Sequence, residues 1–125
     1  MNAIRSIAGA AVLLLSAGCA TMPVFPALEG TTFENGELAA NVHGDIYEAA
    51  NAVREAGVRL QLAPVREVSD PVKARMVAFD PYGTRVAIRL IPVSGGITEV
   101  RIKAGASGDE GYARRIFREI LKNVP

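Results

Sequence analysis

The sequence predicts an α+β domain: a single antiparallel sheet of about five strands with two helices packed on one face, in the order β-α-β-β-β-β-α. Three observations predict it. Apolar residues alternate with polar ones over 38–42, 86–90 and 100–104, the period of a half-buried strand. Two segments that begin after Asp45 and Asp109 repeat their apolar residues at helical spacing instead. Short turn signals, Ser69-Asp70-Pro71, Asp80-Pro81-Tyr82-Gly83 and Ser94-Gly95-Gly96, separate the later extended segments, so neighbours join antiparallel and leave one face for the helices.

The first strand starts at Glu37, with Leu38, Ala40 and Val42 on its inner face. Asp45 and Glu48 have capping-box spacing, and Ile46, Ala49, Ala50, Val53 and Ala56 follow on one helical stripe that Gly57 is expected to close. Val58, Leu60 and Leu62 alternate with Arg59 and Gln61 and read as the next strand, and 72–79 reads as extended. Val86, Ile88 and Leu90 oppose Arg85 and Arg89, while Val100, Ile102 and Ala104 oppose Glu99, Arg101 and Lys103. Pairing these two strands with both apolar faces inward sets even-numbered residues opposite even-numbered ones. A two-residue Gly95-Gly96 loop breaks that parity, so a three-residue Ser94-Gly95-Gly96 loop is expected. Asp109 is placed to cap a last helix with Ala113, Ile116, Phe117, Ile120, Leu121 and Val124 on one stripe, ended by Pro125.

The N-terminus carries one cation, Arg5, then a small and apolar run from Ile7 to Leu15, then Ser16-Ala17-Gly18-Cys19. That order is the one a secretory signal peptide needs, and the run falls short of the roughly 20 residues that a membrane-spanning helix requires. Leu-Ser-Ala-Gly-Cys resembles the lipobox cut before cysteine by bacterial lipoprotein signal peptidase, although Ser16 stands where that family usually has leucine. The resemblance implies lipidation at Cys19 and a membrane partner through the lipid anchor. The alternatives are a small residue ending an ordinary signal peptide and a buried thiol. With one cysteine in the chain, no intramolecular disulfide can form. Similarity to Gram-negative lipoproteins adds that Ala20, in place of an aspartate, favours the periplasmic face of the outer membrane. The expected division is a signal peptide over 1–18, a lipidated cysteine and flexible tether over 19–35, and a small domain over 36–125. Pro23 and Pro26 keep the tether out of regular helix.

The formal net charge is +1 over the full chain, and Arg5 lies in the signal segment, so the rest is balanced and lacks the basic excess of a nucleic-acid binder. No catalytic or metal site and no cofactor is expected. His43 is the only histidine, which excludes a multi-histidine metal site, and its Val-His-Gly-Asp setting reads as a surface turn. Asp109 and Glu110 read as helix-start carboxylates, and Gly95, Gly96 and Gly105 to Gly111 as turn glycines without the lysine of a phosphate loop. The outward strand positions carry Arg59, Arg75, Arg85, Arg89, Arg101 and Lys103, with Glu99 almost the only nearby acid. That face reads either as a solvated surface or as a cationic one that meets an envelope protein or an anionic envelope component. Arg75, Arg85, Arg89, Arg101 and Lys103 are the candidate partner-binding set.

The stretch from Gly36 to Ile120 resembles a family of small bacterial lipoproteins known as a domain of unknown function, DUF3568-like. Residues 52–58 (Ala-Val-Arg-Glu-Ala-Gly-Val), the segment Gly83–Leu90, and Val100-Arg101-Ile102 through Gly105 to Gly108-Asp109 carry the likeness. These are structural residues, so the resemblance implies fold and address and transfers no activity. The element order also looks like the helix-grip domains of some outer-membrane assembly lipoproteins, an analogy of fold alone. The expected function is a non-catalytic, membrane-anchored binding or structural module. The alternative is a carrier of a small apolar or lipid ligand between helices and sheet, suggested by Ala49, Ala50, Ala52 and Ala56, which equally suit close helix packing.

Overall fold

The computed structural model describes residues 30–125, and Cys19 with its flanking segments lies outside them. In chain order the elements are β1 Thr32–Glu34, β2 Glu37–His43, α1 Ile46–Arg59, β3 Ala63–Asp70, β4 Lys73–Phe79, β5 Arg85–Ser94, β6 Ile97–Ala104 and α2 Glu110–Leu121. All strand pairings are antiparallel, in the spatial order β1-β2-β6-β5-β4-β3. The α+β class and the order β-α-β-β-β-β-α hold from β2 onward, with six strands in place of about five.

The additional strand, β1, lies at the end of the segment read as tether and forms a hairpin with β2. Asn35 and Gly36 both adopt positive φ, 55° and 78°, and Asn-Gly in two left-handed positions is the turn whose twist matches the strands it joins. It pairs Thr32 with Ala39 and Phe33 with Leu38, which points Phe33 at the core. Space also demands glycine here: a Cβ on Gly36 would sit 2.6 Å from the Ser107 carbonyl oxygen. Gly108, at φ +84°, leaves no room either, because its added Cβ would meet the Gly36 backbone.

The N-terminus of α1 is built as the spacing predicts. The Asp45 carboxylate accepts from the backbone N–H of Tyr47 (3.0 Å) and Glu48 (2.8 Å), and Glu48 Oε1 accepts from Asp45 N–H at 2.8 Å. Its C-terminus differs. The helix runs two residues past Gly57, and Gln61 takes the left-handed conformation at φ 59°. Gln61 N–H then donates to Val58 O and Leu62 N–H to Gly57 O, the paired bonds of a Schellman stop. Residues 58–62 are therefore a helix end, not a strand. Alternation misleads here because Val58, 75% exposed, faces water from the last helical turn, while Leu62 folds back over Gly57.

The next strand accordingly begins at Ala63 and forms one edge of the sheet, exposed along almost its whole length. Pro64, which has no N–H to offer, and a bulge between Pro64 and Arg66 suit it to that edge. Asp70 caps the turn into β4 by accepting from Val72 N–H and Lys73 N–H, both at 2.9 Å.

The β5–β6 hairpin keeps the expected parity by a different device. Val86 opposes Ala104, Ile88 opposes Ile102 and Leu90 opposes Val100, so both apolar faces point the same way. Ser94 nevertheless pairs with Ile97 across the two residues Gly95 and Gly96, which refutes the three-residue loop. The odd residue is absorbed by a register shift between Pro92 and Ser94, where Val93 bulges out of the ladder. Helix α2 starts as expected, with Asp109 Oδ1 accepting from Tyr112 N–H at 3.0 Å, and ends at Leu121, short of Pro125.

Both helices lie on one face. Leu38, Ala40 and Val42, the even-numbered apolar residues of β5 and β6, the alanines of α1, and Ala113, Ile116, Phe117 and Ile120 of α2 form a single core. Each large side chain there contributes about 1.5–3 kcal/mol by leaving water. The small residues of α1 serve close approach: between that helix and β3–β5 the cleft lined by Ala50, Val53, Met76, Ile88 and Leu90 holds about 20 Å³, roughly one water. Thr98 is the buried polar exception, and its hydroxyl donates to Gly44 O at 2.9 Å.

Candidate functional surface: the open face of the sheet

Because both helices cover one side, the odd-numbered residues of β2, β4, β5 and β6 face the other way, and the register brings distant cations together. Arg75 of β4 lies directly opposite Arg89 of β5, and Arg89 lies opposite Arg101 of β6. Strands sit about 4.8 Å apart, so three guanidinium side chains stand side by side across three strands. Like charges directly opposite one another destabilise a sheet, and this row is compensated at one end only.

Glu37 supplies that compensation. Its carboxylate accepts from Arg89 Nη2 at 3.0 and 3.1 Å and from Arg101 Nη1 at 3.0 Å, while Arg101 Nε also donates to Glu99 at 3.0 Å. Partial burial pushes the Glu37 carboxyl up, but the hydrogen bonds and charges of Arg89 and Arg101 outweigh it and hold it below the ordinary carboxylate range. Arg101 is raised in turn, by its hydrogen bonds to Glu99 and then Glu37.

The candidate set is thus divided. Arg89 and Arg101 are bound into this network, whereas Arg75, Arg85 and Lys103 have no ion-pair partner among the described residues. Arg85 lies opposite Phe79, and Lys103 opposite Ala87. Arg59 ends α1 and does not belong to the face. Two residues escaped the sequence reading. Arg66, opposite Val77 on β3, also lacks an acid among the described residues; its place was hidden because the strand was set at 58–62. Glu37 reads in sequence as the start of a strand, and its odd number puts it on the outward side.

At one end of the sheet is a second polar cluster. Asp80 Oδ1 accepts from Tyr82 N–H and Thr84 N–H, both at 2.8 Å, and Oδ2 accepts from the Tyr112 hydroxyl at 2.9 Å. Arg115 lies 5.0 Å from the centre of the Tyr112 ring. Burial and then the bond to Asp80 push the Tyr112 phenol up to about 12. With its carboxylate occupied by the β4–β5 turn and α2, Asp80 is a clasp between them. Asp109 is likewise engaged as a cap, and His43 is exposed at the end of β2. Among the described residues, no group of three or more His, Cys, Asp or Glu side chains is arranged to hold a metal.

Fold and face together define a small open-sheet α+β domain that presents a row of arginines on its uncovered side. The chain belongs to the family described as protein of unknown function (DUF3568), whose family model matches residues 2–123. No curated protein matches it.

Proposed function

We propose that this protein is a bacterial lipoprotein, acylated at Cys19 and held at the periplasmic face of the outer membrane, whose domain is a non-catalytic binding module. The observation that carries the binding part is the Arg75–Arg89–Arg101 row: it is neutralised by Glu37 and Glu99 at the β6 end and left open at Arg75, with Arg66 and Arg85 beside it. A sheet face whose guanidiniums at 66, 75 and 85 have no acid partner among the described residues suits phosphate or carboxylate groups of the envelope. The anchor is supported by the Leu-Ser-Ala-Gly-Cys ending of a short apolar run. No helix among the described residues is long and apolar enough to cross a membrane.

Metabolic labelling with a clickable fatty acid tests the anchor: the label is expected on the wild type and absent from Cys19→Ala. In-cell crosslinking tests the surface, with loss of captured envelope material expected for Arg75→Glu/Arg85→Glu. Unchanged capture by that variant would overturn the binding role of the face.

A further inference from the structure

We infer that the β3–β4–β5 part of the open face docks onto a bilayer surface containing anionic phospholipid. This rests on the reading above that the face meets anionic groups, and it adds which kind. Two depressions meet at Arg75, one lined by Val65, Arg66, Val77, Phe79 and Arg85 and the other by Val68, Val72, Lys73 and Ile91. Apolar and cationic side chains are therefore interspersed over one continuous surface. Val65 is 62% exposed, Phe79 38% and Val72, in the β3–β4 turn, 68%, on a side of the sheet that neither α1 nor α2 covers. Glu67, between Arg66 and Val68 in sequence, belongs to the helix side, where it pairs with Arg54, and one oxygen of Asp70 accepts from the Val72 and Lys73 amides.

That mixture matches the lipid interface, where phosphates lie just above the first acyl carbons. Guanidiniums reach the phosphates while valines and a phenylalanine enter the apolar boundary beneath them. An acidic protein would satisfy the cations but not the exposed aliphatic residues among them. Reach is sufficient. The chain enters at the β1 edge, and five strand spacings put β3 roughly 24 Å away. From Cys19 to Gly30 an extended chain spans up to about 35 Å, so an acylated chain holds this surface at high effective concentration beside the bilayer.

The sequence has no tryptophan, which gives a clean reporter. Full-length protein carrying Phe79→Trp, with Val68→Trp as a second reporter, is reconstituted into vesicles of phosphatidylcholine alone or with phosphatidylglycerol, each including brominated lipid. Tyr47→Trp on α1 is the control. Blue-shifted, quenched emission is expected from the two sheet reporters in the anionic vesicles only, and it should weaken with salt. Adding Arg75→Glu and Arg85→Glu is expected to lower the docked population at least about tenfold. Equal emission in neutral and anionic vesicles, or sheet reporters no more quenched than Tyr47→Trp, overturns the proposal. So does crosslinking of an acidic protein through these arginines with no lipid quenching. Fatty-acid labelling separates the two readings: label without quenching defeats docking and keeps the anchor, whereas quenching without label keeps docking and defeats the anchor.

Discussion

Replacing Glu37 by glutamine tests whether the arginine row is held by one carboxylate. The side chain is 22% exposed and accepts hydrogen bonds from two guanidiniums that are themselves 40% and 36% exposed. Such half-exposed pairs contribute about 0.2–1 kcal/mol each, far below their gross Coulomb attraction. Their loss also leaves Arg89 uncompensated opposite Arg101, which keeps only Glu99, at a further cost of about 0.2–1 kcal/mol. Together these terms come to about 2 kcal/mol, which for a domain of this size lowers Tm by roughly 10 °C. The folded Glu37 carboxyl titrates below its unfolded value, so its contribution is complete above the unfolded pKa and is lost as pH falls through the folded one. Thermal unfolding by circular dichroism should therefore show a wide gap between wild type and Glu37→Gln at pH 7. The gap should narrow in high salt, begin to shrink as pH falls through the ordinary glutamate pKa of about 4.3, and close only below the depressed folded one. A shift under about 2 °C at pH 7, or a gap unchanged in acid, refutes the reasoning.

Gln61→Gly should stabilise the domain by about 1 kcal/mol, since a left-handed position that ends α1 is held by a residue with a Cβ; urea unfolding gives the sign. Gly108→Ala, by contrast, drives a Cβ into the Gly36 backbone, and loss of cooperative unfolding or a penalty above about 3 kcal/mol is expected. Ile116→Ala, at a site with no exposed surface, should cost about 2–5 kcal/mol in the same assay. In alkaline absorbance titration Tyr112 should ionise near 12, and Asp80→Asn should bring it down. Because this phenol is raised in the folded state, its contribution is full below the unfolded pKa of about 10 and disappears as pH rises through about 12.

Much of the fold was legible because it rests on short-range chemistry. A capping box spans three residues, a helical stripe four, and a strand face alternates every two, so Asp45, the α2 stripe and the inward residues of β2, β5 and β6 could be read directly from their neighbours. Local pattern failed where two local patterns agreed by accident. Residues 58–62 alternate like a strand but are a helix end, because Leu62 closes over Gly57 in tertiary packing. Asn35-Gly36 was the readable signal that was overlooked, and it would have supplied β1. The bulge at Val93 shows that parity can be restored within a strand as well as within a loop.

The open face divides in the same way. That cations occupy outward positions followed from alternation within each strand. Which of them are neutralised depended on the order of strands and on register, since Glu37 reaches partners 52 and 64 residues along the chain. Charge compensation acts through space, and a linear pattern carries no information on which strands become neighbours; only the assembled sheet leaves Arg66, Arg75 and Arg85 without an acid among the described residues while tying down Arg89 and Arg101.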